Sequence, residues 1–195
     1  MNKRSEQGQA TRAHLVDVAT TLFAERGYDG TSIEAVLEQA GVSRGSLYHH
    51  FDGKEALFEA VLHAVEARIG AATLAAAIDA TDMTAALRAG CLAWIALAGD
   101  PVVRRIVLID APAVLGWERW RAIEEQYALG MLKGATQEAA TDGRIPAELV
   151  DPFAHIILAT VNELALLIAR ADDIGAAQRT AEAAVDEFLA RLLGR

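Results

Sequence analysis

One cysteine, Cys91, is all that the 195 residues contain. That excludes an internal disulfide and any multi-cysteine metal site, and its place on an apolar helical stripe reads as a buried structural thiol. Proline is scarce too, with 4 residues, and β-branched runs are short. Alanine and leucine dominate, a mix that favours helix over sheet. The apolar runs within 89–99 and 153–162 stop at charged or polar residues, well short of the roughly 18 residues that span a membrane. The opening Met-Asn-Lys-Arg-Ser-Glu-Gln-Gly-Gln has no apolar stretch of the secretion-signal kind. A cytoplasmic location without a membrane partner is therefore expected. Positive charge is also short, and a net charge of −9 argues at first against a polyanionic partner. The acidity is unevenly spread: residues 1–54 balance at −1 and the remaining 141 carry −8. No phosphate loop, nucleophile motif or His/Asp/Glu cluster at metal-ligand spacing occurs. His49 and His50 are adjacent, so they point in different directions on a helix. No catalysis, cofactor or metal is expected.

What is present is apolar periodicity, in a chain that is 53 % hydrophobic. Leu15, Val18, Ala19, Leu22 and Phe23 follow an amphipathic helix rhythm, ended by Gly27. Thr31 with Glu34 makes a capping box for a second helix whose inner face is Ile33, Val36, Leu37 and Ala40. Gly41 breaks the chain, and Ser43 caps a third short helix running through Phe51. Asp52 with Glu55 opens a fourth helix lined by Leu57, Phe58, Val61, Leu62, Val65 and Ile69. Beyond it the stripe Leu87, Cys91, Trp94, Ile95 and Ala98 predicts another helix. Asp100-Pro101 starts an element that ends near Ala111-Pro112. Three more follow: one bearing Trp117, Trp120, Ile123, Tyr127 and Met131, one over 151–170, and one over 176–193. The expectation is an all-α chain of about nine helices. Residues 1–54 form a three-helix domain and 55–195 a second domain, with helix 55–70 connecting them.

The segment Ile-Glu-Ala-Val-Leu-Glu-Gln-Ala-Gly-Val-Ser-Arg-Gly-Ser-Leu-Tyr-His-His-Phe at 33–51 is a helix, a glycine-containing turn and a second short helix. That unit places a recognition helix in the major groove of DNA. Arg44 can donate twice to a guanine edge, Ser46 can bond a base or phosphate, and Tyr48, His49 and His50 can meet phosphates or sugars. Gly45 leaves room for close backbone approach, and Lys54 is placed to neutralise a phosphate. Thr31, Ser32 and Ser43 sit at helix N-termini, which attract anions. Leu47 and Phe51, four residues apart, read as core.

These residues carry a resemblance. From Thr11 to Phe58 the sequence resembles the N-terminal domain of the tetracycline-repressor family. The resemblance rests on Phe23, Gly27-Tyr28, Thr31-Ser32, Ala40 to Ser43, Gly45, Leu47-Tyr48, His50-Phe51 and Lys54. Val36-Leu37 departs from the family's usual Ile-Ala, and Glu34 stands where relatives often have a basic residue. The resemblance implies a helix-turn-helix regulator, more often a repressor than an activator. It also implies a homodimer on a near-palindromic operator and a C-terminal domain that dimerises and binds a largely apolar small-molecule effector. For that effector pocket the candidates are Trp94, Asp110, Trp117, Trp120, Tyr127, His155 and Asn162. The helix over 153–168 is apolar on almost every face, which independently asks for burial on most sides. With the last helix it is expected to form a dimer interface through Ile157, Val161, Leu164, Ile168, Val185, Phe188, Leu189 and Leu192. The effector is expected to mis-space the recognition helices, with the fourth helix as lever. A helical enzyme and a protein-binding adaptor are the competing classes, and salt-dependent DNA binding separates both from a regulator.

Overall fold

The computed structural model describes residues 3–193, and every regular element among them is helical. In chain order these are α1 (Lys3–Arg26), α2 (Ile33–Ala40), α3 (Arg44–His50), α4 (Lys54–Ala77) and α5 (Met83–Leu97). A π-helical segment, Val103–Asp110, then leads into α6 (Ala111–Val114). After it come α7 (Trp117–Thr141), a 3₁₀ turn at Ala147–Leu149, α8 (Val150–Arg170) and α9 (Ile174–Leu192).

The described chain forms two compact units, divided differently from the sequence expectation of a boundary after residue 54. The first holds the residues through Val65 together with Pro101–Trp120, and the second holds Glu66–Asp100 and the chain from Arg121 onward. The reason lies in side chains. Leu57, Phe58, Val61 and Leu62 of α4 are fully buried, as are Leu15, Leu22 and Phe23 of α1. The rings of Phe23, Tyr28 and Phe58 pack together at 5.1–5.8 Å between centroids. The start of α4 thus completes the N-terminal bundle. α4 also continues seven residues past the expected end, through an alanine-rich stretch in which Gly70 is tolerated.

Within the first unit, Gly27 and Gly41 take left-handed φ values of 73° and 65°, which glycine adopts without a Cβ clash. Gly41 closes α2, its N–H reaching Leu37 O. The expected capping box at Thr31 moves by one residue, because Ser32 is the cap and accepts from Ala35 N. Thr31 is instead buried, its hydroxyl within hydrogen-bond distance of Leu22 O at 3.1 Å and Gly27 O at 2.8 Å. The π-helical segment is tied to the same turn. Asp110 Oδ2 accepts from Tyr28 N at 2.8 Å and from Arg105 Nε at 3.1 Å. Pro112, two residues on, has no N–H to close an α-type bond, which fits the wider coil before it.

In the second unit α5 buries Leu87, Cys91, Trp94 and Ile95, the expected stripe. Asp82 and Asp173 cap α5 and α9 by accepting from Ala85 N and Ala176 N. α8 is two-faced. Ile157, Val161, Ala165 and Ile168 are buried inside this one chain, while Ile156 and Leu167 remain exposed. Counted with the charged residues they contain, α4 and the stretch Ala147–Arg170 are by length and composition long and apolar enough to cross a membrane. Half of the apolar window of α8 is buried in the fold.

Candidate nucleic-acid interface and ligand cavity

The second and third helices form the reading head expected of 33–51. α3 is short and is capped by Ser43, whose hydroxyl accepts from Ser46 N at 3.2 Å. Leu47 is fully buried and Phe51 nearly so. These two anchors turn the opposite face outward: Arg44, Gly45, Tyr48 and His49 are exposed, and Ser46 and His50 are half-buried. A Cβ at Gly45 would meet only Ser43 Oγ, at 4.0 Å. Nothing in the protein therefore requires glycine there. Arg44 is engaged by Glu34 of α2 in an exposed ion pair. That pairing, after the bond to its own backbone amide, holds the Glu34 carboxyl below the ordinary range.

Lys54 lies over the Tyr28 ring, its Nζ 4.0 Å from the centroid, and burial raises the Tyr28 phenol above its ordinary value. Ser32 is exposed at the head of α2. Thr31 leaves the set of candidate DNA contacts, because its buried hydroxyl is bonded within the turn.

The second unit holds a partly open cavity of about 60 Å³ between the end of α4, α5, α7 and α8. Of the expected pocket residues, Trp94, Tyr127 and Asn162 line it. The other four do not. Trp120 is fully buried and Trp117 is 60 % exposed, both in the first unit. Asp110 is occupied by Tyr28 N and Arg105. His155 is exposed beside Glu125, with Nδ1 3.6 Å from its carboxylate.

The sequence reading missed Glu66, Met131 and Gly90, which share the wall. A larger open groove of about 620 Å³ exists nearby. Both of its arginines are already paired, as Arg88–Asp186 and Arg144–Asp142.

Glu66 is the unusual member of the cavity wall. It is 5 % exposed, and its buried Oε1 has no hydrogen-bond partner. Burial pushes its carboxyl up to about 7. Behind the wall stands Glu124, pushed up to about 9 by burial first and then by the charge of Glu66. Glu124 Oε2 accepts from Asn162 Nδ2 at 2.8 Å and lies 3.7 Å from Arg121 Nη1. Trp94 Nε1, on the same wall, is also buried without a partner. Glu66 could have been noticed in the sequence, because Leu62, Glu66, Ile69 and Thr73 keep the spacing of one buried stripe.

The expected interface residues divide as well. Ile157, Val161, Ile168, Val185 and Leu189 belong to the protomer's own core and present no surface to a second chain. Leu164, Phe188 and Leu192 keep partial exposure. Ile156 and Leu167, within the apolar stretch 153–168, are the large apolar residues of α8 that stay exposed.

Comparison with known proteins agrees with the reading head and extends beyond it. Residues 15–61 match the family described as bacterial regulatory proteins, tetR family. Residues 84–192, more than half of the chain, match the tetracyclin repressor-like C-terminal domain. The chain is 49 % identical over 51 residues to the HTH-type transcriptional repressor KstR2 of Rhodococcus jostii, covering 26 % of this chain and 25 % of that protein. It is 40 % identical over 68 residues to the HTH-type transcriptional regulator AcrR of Shigella flexneri, covering 35 % and 32 %. Both matches thus span a third or less of those relatives. A TetR-family transcriptional regulator from Pectobacterium atrosepticum shares the whole fold, with a TM-score of 0.85 and 29 % identity over 100 % of this chain and 99 % of that one. These relatives are regulators and not enzymes. The chain belongs to the tetracycline-repressor family of helix-turn-helix, DNA-binding transcriptional regulators.

Proposed function

We propose that the protein is a repressor that binds a near-palindromic operator as a homodimer and lets go when a small molecule occupies the cavity of the second unit. The observation that carries this reading is the outward face of α3. There Arg44, Ser46, Tyr48 and His49 stand beside a glycine that the fold itself does not require. Ser32, Ser43, His50 and Lys54 frame that face as backbone contacts. Arg44 is the base reader, since a guanidinium bonds a guanine edge twice. Two such heads in a dimer reach successive major grooves, about 34 Å apart.

Dimerisation falls to the outward sides of α8 and α9. Leu164 and Leu167 with Ala176, Ala177 and Thr180 line an apolar groove there, and Ile156, Phe188 and Leu192 are further apolar residues of these helices with exposed or partly exposed side chains. The repressor sense is supported by KstR2, which is itself named a repressor. A cytoplasmic location follows from a DNA partner. The lever is α4, one continuous helix that begins at Lys54 in the first unit and carries Glu66 in the second. A ligand shifts the population toward the state with mis-spaced heads by its differential affinity for that state.

Selection from a random DNA pool tests the reading. Wild type should enrich a near-palindrome. Arg44→Ala should lose roughly 1–3 kcal/mol and relax preference at one symmetric base pair. Enrichment without two-fold symmetry would count against the dimer, and an unaltered preference in the mutant against Arg44 as reader.

A further inference from the structure

We infer that the cavity of the second unit takes a small amphipathic amine, its apolar body packed among aliphatic side chains and its protonated nitrogen on the carboxylate of Glu66. This rests on the reading that the cavity is the effector site. A buried polar atom without a partner costs free energy that a bonded one does not, and the wall has two such atoms. Glu66 Oε1 is an acceptor and Trp94 Nε1 a donor. A donor on the ligand meets Glu66 Oε1, whereas the indole N–H is met only by an acceptor elsewhere on the ligand. An ammonium group supplies the donor and the charge together.

The local charge balance favours the cation. Glu66 and Glu124 act on each other, and Arg121 is the base in contact with the second of them. Arg121 is shared, its Nε reaching Glu125 Oε1 at 3.3 Å. A carboxylate ligand would add an anion beside Glu66. An alcohol could hydrogen-bond but would leave the charge uncompensated.

Much of the remaining lining is apolar, with Ile69, Ala128, Leu132, Leu158 and Val161, and Thr73, Tyr127 and Asn162 add polar groups. At about 60 Å³ the cavity has room for about two waters, whose liquid share is about 30 Å³ each. A longer ligand must part the walls. Met131 packs on Gly90 in this wall, and a thioether chain re-packs more readily than its branched neighbours.

The test uses the full-length protein at pH 7.5 with three probes of one apolar length: hexylamine, hexanol and hexanoate. Hexylamine should raise the melting temperature saturably, well above hexanol, and hexanoate should have no effect. Glu66→Gln should weaken hexylamine binding at least about tenfold, the worth of a charge-assisted bond, and abolish its advantage over hexanol. Glu148→Gln, exposed and outside the lining, should leave both unchanged. The inference is overturned if hexanol or hexanoate stabilises as well as the amine, or if Glu66→Gln binds the amine like wild type. The three-probe comparison on wild type stands even if that variant fails to fold. If hexanol or hexanoate binds and releases operator DNA, the effector site survives and only its amine chemistry falls. If none of the three shifts the melting temperature, both readings fall.

Discussion

Arg44 reaches the solvent already engaged by Glu34, so any DNA contact it makes must displace that partner. Glu34 therefore acts twice against affinity, as a competitor for the guanidinium and as a negative charge close to phosphates. Glu34→Gln should bind operator several-fold tighter at low salt and lose part of that gain at high salt, because the charge effect is screened. Fluorescence anisotropy across a salt series measures it, and equal affinity in the two proteins would show that Arg44 is free to leave at no cost. The same position shows what is readable in a sequence. Glu34 is visible there as a missing basic residue, but its partner ten residues away depends on how α2 and α3 cross. Thr31 failed as a DNA candidate for a similar reason. A hydroxyl at a helix start looks like a cap until the neighbouring carbonyls of Leu22 and Gly27 are seen to claim it.

Among the elements, the π-helical segment Val103–Asp110 ties the turn after α1 through Asp110 and Arg105. Asp110→Ala would leave Tyr28 N–H and the partly exposed Arg105 guanidinium without their acceptor. The loss should be about 1–3 kcal/mol in urea unfolding, with faster hydrogen exchange at the Tyr28 amide. Unchanged exchange at Tyr28 would show that the tie does not hold the turn. Helix existence was legible throughout, because apolar spacing and caps are local. The π segment was not legible, and its Asp110 is tied to Tyr28, 82 residues away, a contact no local pattern reveals. Nor was the true role of α8. Apolar periodicity reports that a face is buried, not whether its own chain or another buries it, so Ile157 and Val161 looked like interface and are core. The structure groups 101–120 with the N-terminal helices where the sequence expectation placed it in the second domain, because compactness is set by contacts that sequence distance hides.

For the molecule as a whole, two buried carboxyls set how stability varies with pH. Glu66 and Glu124 take up protons more readily in the fold than in the open chain, at about 7 and about 9 against an ordinary 4.5. The native state then binds more protons than the unfolded one between those limits, so stability falls as pH rises from about 5 to 9. The slope is at most about 1.4 kcal/mol per pH unit for each group within its window. Glu124→Gln should flatten the decline above pH 7, as thermal melts at several pH values would show; a wild-type profile that rises over this range would contradict it. Because hexylamine is expected to ionise Glu66, its stabilising effect should grow over the same interval. Cys91 adds a last consequence. It is the sole thiol of the chain, buried on the cavity wall, with its ionisation pushed up to about 12 by burial. Alkylation of the native protein can occur only through transient opening of that wall, so the rate of labelling by a small maleimide is a clock for how often the chamber breathes, and an occupant that closes the chamber would slow the clock without any engineered label.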